Sequence, residues 1–491
     1  MNTFKSVSII LLTIVLSACG DFWYTDVRSK VGPTTSNPAT GNPNTPSDPE
    51  DPNNPNPPHV MAWTHPADLN SHVSIAGTNT WLPKVAMDNN GNAVMAWYQY
   101  DGSKNQIFMS EYRNGAWSNP VSLADNISPD GQYAYWPEVA MDNNGNAIIV
   151  WYQYNGSHYQ VFKSEYRNGT WTHPASLADN ISPDGQNTYG AKVVMSDSSD
   201  AIITWYQFSG THNQIYKSEY RNGVWTHPAN LADHISLSGQ IAGANHAAID
   251  SSGNTIIVWH QRNGVNNQIF KSEYRNGVWT HPANVNDNIS PDGAEAGYPN
   301  VAMDDNGNAI ITWQQAVGVN SQVFKSEYRN NTWTHPANLA DNISPDGQNV
   351  NYPIVKMDNL GNAIVVWQQS DGAFGQIFKS EYRDGVWAHP ANLSDNISPD
   401  GSLALSPQVA MDDNGNALVT WEQSNALIYE IFKSEYREGE WVHPTSTAEF
   451  ISPAGQHAAS SQIAMSNNGE AVIVWSQSNG THTQIFRSEY R

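Results

Sequence analysis

Short apolar runs, each bounded by turn residues, recur along the chain. In residues 137–174 the order is Val139-Ala140-Met141, a polar turn Asp142-Asn143-Asn144-Gly145-Asn146, and a continuous run Ala147-Ile148-Ile149-Val150-Trp151. A polar loop leads to Gln160-Val161-Phe162-Lys163-Ser164-Glu165-Tyr166-Arg167, then Asn168-Gly169 and Trp171-Thr172-His173-Pro174. The run ending at Trp151 is apolar at successive positions, as a strand covered on both faces must be. The next stretch alternates, with Phe162, Ser164 and Tyr166 on one side and Lys163, Glu165 and Arg167 on the other. Four strands per unit are expected: one at Val139-Ala140-Met141, one ending at Trp151, the alternating one, and one from Trp171 to about Leu177. Asn-Gly at Asn114-Gly115, Asn168-Gly169, Asn222-Gly223 and Asn276-Gly277 suits a type I′ hairpin between strands three and four. Asp384-Gly385 obeys the same rule. No segment keeps a helical period.

The unit is 54 residues long and occurs eight times, its core tryptophan falling at Trp97, Trp151, Trp205, Trp259, Trp313, Trp367, Trp421 and Trp475. A step of this size signals a solenoid, a propeller or an array. Eight units of four antiparallel strands predict an all-β, eight-bladed β-propeller. The phase of the repeats predicts closure. The eighth unit stops after its third strand, and an orphan copy of the fourth, Trp63-Thr64-His65-Pro66, stands ahead of the first unit. Residues 60–491 number 432, which is 8 × 54. The segment around Trp63 is therefore expected to complete the last blade, leaving no free ring edge.

Charge narrows the partners. The chain carries −23 with 14% charged residues. No basic patch is present to neutralise phosphate, so nucleic acid is not an expected partner. The ring is expected to be a monomer.

The first 59 residues read differently. Lys5 and the apolar residues 7–16 form an export signal over residues 1–19, too short to span a membrane stably. It ends in Leu16-Ser17-Ala18-Cys19, which resembles the lipobox of bacterial lipoproteins. The resemblance implies lipidation of Cys19, the only cysteine of the chain, and attachment to a membrane through it. Gly20 follows in place of an aspartate, which by the same resemblance implies the outer membrane. Residues 20–59, punctuated by Asn37-Pro38, Asn42-Pro43, Asn54-Pro55 and Pro57-Pro58, read as a Pro/Asn-rich disordered tether.

Most recurring polar residues have a structural reading. Glu165 and Arg167 share a strand face and are expected to form ion pairs of little worth if exposed. Gln153 and its equivalents are expected to hold a buried hydrogen bond at the end of strand two. His173 and its counterparts fall in different blades and cannot converge on one metal. The Asp-Asn-Asn-Gly-Asn turn lacks the later bidentate acid of a calcium loop. No catalytic residue, metal or cofactor is expected. The turn loosely resembles the Asp-box of sialidase propellers, nearest at Ser251-Ser252-Gly253-Asn254-Thr255, and eight blades on an outer-membrane lipoprotein resemble in architecture the propeller subunit of the barrel-assembly machinery. The repeats themselves resemble those of bacterial surface propeller lipoproteins.

Function is expected where the repeats differ. The two tight hairpins of each unit emerge on one face, and the loop from strand two to three and the inter-blade connection on the other. The second face varies. It gathers Trp81, Tyr100, Tyr133, Tyr135, Trp136, Tyr154, Tyr159, Tyr189 and Phe208 in blades one to three. Aromatic rings among Asn, Gln and Ser suit stacking on sugars or burial against a protein. The expectation is a membrane-anchored binding module for a glycan or protein, with an envelope scaffold and a sialidase-like glycoside hydrolase as alternatives. Glu138, Glu295, Glu422 and Glu430 are the unrepeated acids assigned to that face, scattered over blades.

Overall fold

The computed structural model describes residues 61–425 and 428–491. The expected signal over 1–19, the lipidation site Cys19 and the tether over 20–59 lie outside the described residues. From Trp63 on, every regular element is a strand, and the strands form eight four-stranded antiparallel sheets. Blade two shows the plan, with Ala134–Met141, Ala147–Tyr154, Tyr159–Arg167 and Thr170–Thr172 in that order from inside to outside. The first strands of neighbouring blades pack on one another around the whole circle, including Ala458–Met465 against Thr80–Met87. They therefore lie nearest the ring axis and line its channel.

The last blade closes as the repeat phase predicts. Trp63 pairs with Tyr490 and Thr64 with Glu489. The seam between blades eight and one also repeats the contacts of the seam between blades one and two. Trp117 Nε1 donates to Glu489 at 2.9 Å, as Trp171 Nε1 donates to Glu111 at 3.1 Å. The Arg491 guanidinium lies 3.7 Å from the Tyr112 ring centre, as Arg113 lies 3.9 Å from that of Tyr166.

Each core is built around its tryptophan. Trp151 is fully buried and stacks on Phe162 at 6.2 Å. Burying an indole requires a partner for its N–H. Trp151 Nε1 donates to Gln153 Oε1 at 3.2 Å, and Gln153 Nε2 donates in turn to the Pro129 carbonyl at 2.5 Å. The glutamine thus ties strand two to the incoming connection. Glu165 and Arg167 do more than the sequence suggests. Their side chains are only 14% and 17% exposed, Glu165 accepts from Trp225 of the next blade, and Arg167 covers Tyr220 there at 3.9 Å. The repeated Ser-Glu-Tyr-Arg is a seam between blades.

Two strand boundaries differ from expectation. The fourth strand has three residues, Thr170–Thr172, and does not reach Leu177. Pro174 cannot donate to the ladder, and the amides of Ala175 and Ser176 turn to Asp179 instead, at 2.8 Å each. The first strand is longer than expected, starting at Ala134 and passing through a bulge between Tyr135 and Glu138. The bulge breaks the two-residue alternation, so the pattern shows only the far half. It also has a consequence for the channel. Two residues of the inner strand, Trp136 and Pro137, oppose one of its partner, Trp151, which returns Tyr135 and Glu138 to the same blade face. One residue of each bulge adopts positive φ, including Trp136 at 51° and Tyr352 at 49°. A bulky residue is costly in that region.

At the mouth formed by the tight turns, repeated hydrogen bonds link neighbouring blades. Asp142 Oδ1 accepts from the amides of Asn144 and Asn146, and Oδ2 from Asn146 Nδ2. The neighbouring position links blades: the Asn89 amide donates to Asn143 Oδ1 at 3.0 Å, Asp413 to Asn467 at 3.0 Å, and Asn467 back to Asn89 at 3.1 Å.

Candidate ligand-binding site at the variable mouth

The opposite mouth carries the ends of strands one and two and the loops between strands two and three. Here the repeats diverge at defined positions. Directly after the core tryptophan stand Tyr98, Tyr152, Tyr206, His260, Gln314, Gln368, Glu422 and Ser476 in blade order. Facing them across the ladder are Trp81, Tyr135, Tyr189, Gly243, Gly297, Asn351, Leu405 and Ala459.

In blades one to three these positions meet as one aromatic wall. Tyr135 is its hub, with ring centres 5.5 Å from Tyr98, 6.0 Å from Tyr133, 5.7 Å from Trp136, 6.2 Å from Tyr152 and 6.3 Å from Tyr159. Trp81 stacks on Tyr98 at 5.3 Å, and Trp136 on Tyr152 at 5.0 Å. Tyr154 meets Tyr159 at 5.5 Å, and Tyr189 stacks on Tyr206 at 5.8 Å. Burial raises the hydroxyl pKa of Tyr135, Tyr159 and Tyr189, so these hydroxyls stay protonated and serve as donors. Trp136 remains 37% exposed. Its left-handed backbone holds a large apolar ring at the surface.

The structure thus brings together Trp81, Tyr133, Tyr135, Trp136, Tyr154, Tyr159 and Tyr189. Tyr100 and Phe208 are 39% and 37% exposed and touch no other ring among the described residues. Three members escaped the sequence reading: Tyr98, Tyr152 and Tyr206. They sit inside a run read as core, and their signal is that this one position varies between an invariant tryptophan and an invariant glutamine. A second pair was also missed, Tyr298 against Tyr352 at 4.9 Å in blades five and six.

Past the wall the floor drops. Gly243 and Gly297 take the places of Tyr135 and Tyr189, and a Cβ added at either would stand 3.3 and 3.9 Å from the His260 ring nitrogens. His260 is deeply enclosed, burial lowers its pKa to about 4, and its Nδ1 has no hydrogen-bond partner among the described residues. Across the ring, Glu422 accepts from the Ser460 amide at 2.6 Å, and burial raises its carboxyl to about 7. Glu430 does not join it. Its ladder partner is Gln423 whereas that of Glu422 is Ile431, so the two point to opposite faces of the blade. Glu430 stands where other blades have glutamine, bonded to Ser452. Glu295 accepts from the Asn267 amide at 2.8 Å. An open groove of about 770 Å³ on blade three adds polar lining from Asp184, Ser209, Gln214 and His234.

Glu138, assigned to the variable face from the sequence, lies deeper, on the inner strand. Lys192 of blade three approaches it at 2.5 Å and Lys84 of blade one at 3.4 Å. Burial alone would raise its carboxyl, but the two ammonium groups outweigh burial and hold it at about 2. Among the described residues no group of three or more His, Cys, Asp or Glu is placed to hold a metal.

No protein-family model matches the chain, and no curated protein matches it. Solved structures resemble it at low identity. An ulvan lyase, described as a new family of polysaccharide lyase, aligns at 10% identity with TM-score 0.48, covering 85% of this chain and 94% of its own. A Dyadobacter fermentans protein of unknown function aligns at 10% identity with TM-score 0.39, covering 87% and 99%. A Hadza microbial sialidase aligns at 10% identity with TM-score 0.37, covering 87% and 94%. The chain itself is an all-β, eight-bladed propeller whose last blade is completed by the strand at Trp63.

Proposed function

We propose that this chain is a lipid-anchored envelope protein that binds a glycan at the variable mouth of its ring. The carrying observation is the wall of ten aromatic rings from Trp81 to Tyr206, gathered on three of eight blades. Flat apolar rings carrying hydroxyl and indole donors suit the apolar face and hydroxyl rim of a sugar. Anchorage follows from the lipobox at Cys19, with the outer membrane as the location and the tether over 20–59 as the spacer. The ring acts as a monomer and needs no cofactor. Binding to the full chain on a glycan array is the test. The expected affinity is micromolar to millimolar, roughly 4–8 kcal/mol. An array with no saccharide bound above background, alongside a protein captured through the same wall, would replace the glycan by a protein ligand. For the anchor, Cys19→Ser should move the protein from the membrane fraction to the soluble one; unchanged fractionation would reject lipidation.

Glu422 supports a second reading. A buried carboxyl raised to about 7 beside the variable mouth is suited to general-acid work. Release of reducing ends from the bound glycan, abolished by Glu422→Gln, would favour a glycoside-acting enzyme over a binding module.

A further inference from the structure

The ring of Trp63–Arg491 has two classes of basic residue. One is the repeated Lys and Arg of the Ser-Glu-Tyr-Arg strand, committed to the seams. The other is unrepeated: Lys84, Lys104, Lys192, Arg262 and Lys356. Their places are not scattered. Lys104 lies 4.4 Å from the Tyr133 ring centre at the edge of the aromatic wall, and Arg262 ends strand two of blade four on the same face. Lys84, Lys192 and Lys356 lie on inner strands, in the channel.

The bulge connects channel and wall. Trp81 pairs with Tyr98 and Lys84 with Ala96, so ring and ammonium leave the same blade face two ladder steps apart, about 7 Å along the strand. Tyr189 and Lys192 repeat the relation in blade three. The channel holds three lysines and one carboxylate, Glu138, which pairs with two of them, Lys84 and Lys192. Lys356, on the opposite blade, has no ion-pair partner among the described residues; enclosure lowers its pKa and Glu138 opposes the effect. His246 stands at the position equivalent to Lys192 one blade on, and its buried Nδ1 is likewise without a partner. The acids of the outer rim are repeated and tied into local turns, as Asp125 is by the Val121 and Ser122 amides. In a chain of charge −23, the channel behind the variable mouth is therefore locally cationic. Unneutralised charge held inside protein favours an anion that enters.

Resting on the glycan reading above, we infer that the ligand is an acidic saccharide, whose sugar ring stacks on the aromatic wall while its carboxylate or sulfate enters the channel toward Lys84, Lys192 and Lys356. Lysine serves either anion as a point charge.

The test uses the full chain, an array of carboxylated and sulfated oligosaccharides, and the same backbones neutralised by methyl esterification or desulfation. The strongest binders should be acidic, and neutralisation should weaken them about tenfold or more. Lys356→Gln, at a site open to the channel, should remove most of that preference and leave the melting temperature unchanged, while neutral saccharides bind as before. Carboxylated and sulfated arms identify which anion is read. A strongest binder that is neutral, or an acidic preference that survives both Lys356→Gln and the triple Lys84→Gln, Glu138→Gln, Lys192→Gln with the fold intact, would overturn the inference and leave the glycan reading standing. Failure of every saccharide would overturn the glycan reading, and this inference with it.

Discussion

The two mouths of the ring are made from the same repeat and behave in opposite ways. At the tight-turn mouth, Asn89, Asn143, Asp413 and Asn467 reach the next blade through hydrogen bonds, and Asp142 spends both carboxylate oxygens on its own turn. At the variable mouth, one ladder position runs from tyrosine through histidine and glutamine to glutamate and serine. The first mouth uses its polar groups to hold blades together. The second leaves an exposed Trp136, a His260 nitrogen without a partner among the described residues, and a carboxyl near 7. Repetition marks the groups that hold blades together, and its interruption marks the groups on which the proposed binding rests.

The sharpest way to break this division is at the closure. Removing residues 61–66 deletes the strand paired with Tyr490 and the His65 contact to Ser488 Oγ at 2.9 Å. The loss should exceed the roughly 3–5 kcal/mol of one large buried aromatic. Thermal unfolding should show a large drop or aggregation; an unchanged melt would mean the seam contributes nothing. Next comes a pair of tryptophans. Trp151→Ala, in the repeated core, should cost about 3–5 kcal/mol. Trp136→Ala, at the variable mouth, should stay within about 1 kcal/mol. Equal costs would erase the distinction between structural and functional aromatics.

Acidity offers a finer probe. The Glu422 carboxyl is raised in the folded state above its usual unfolded value near 4.3. Its contribution is therefore fully present below about pH 4 and lost as pH rises through about 7. Glu422→Gln keeps an acceptor for the Ser460 amide and removes the charge. Denaturant titration should find the variant more stable than wild type at pH 8, on the order of 1–3 kcal/mol, with the gap closing near pH 4. A gap independent of pH would contradict the burial of that carboxyl. The smallest effect is at the seam. Arg167→Ala should cost about 1 kcal/mol through lost contact with Glu165 and Tyr220, and double-mutant cycles with Tyr220→Ala would show whether the two couple.

The sequence carried the architecture because the repeat is strict. Blade number, four strands per blade and the closing partner of Trp63 all follow from the 54-residue step. The inner strand was legible only beyond its bulge, since Pro137 and a residue at positive φ interrupt the alternation. The same bulge hid the site. It folds Tyr135 and Glu138 onto one face, a relation that spacing alone assigns to opposite faces. Tyr98 and Tyr152 were hidden for another reason: a tyrosine beside a buried tryptophan reads as core until the ring packs at a mouth. The channel lysines were legible as unrepeated residues, but only the ring places Lys84, Glu138 and Lys192 from three blades beside one another.

In the proposed function the aromatic wall, and not the ring as a whole, captures the ligand. The direct measurement is glycan binding by two matched double variants of the full chain. One carries Tyr135→Ala with Trp136→Ala. The other carries Leu405→Ala with Ser406→Ala at the equivalent positions of blade seven. The first should lose binding while its fold persists, and the second should bind as wild type does. Equal behaviour of the two pairs would contradict that role of the wall.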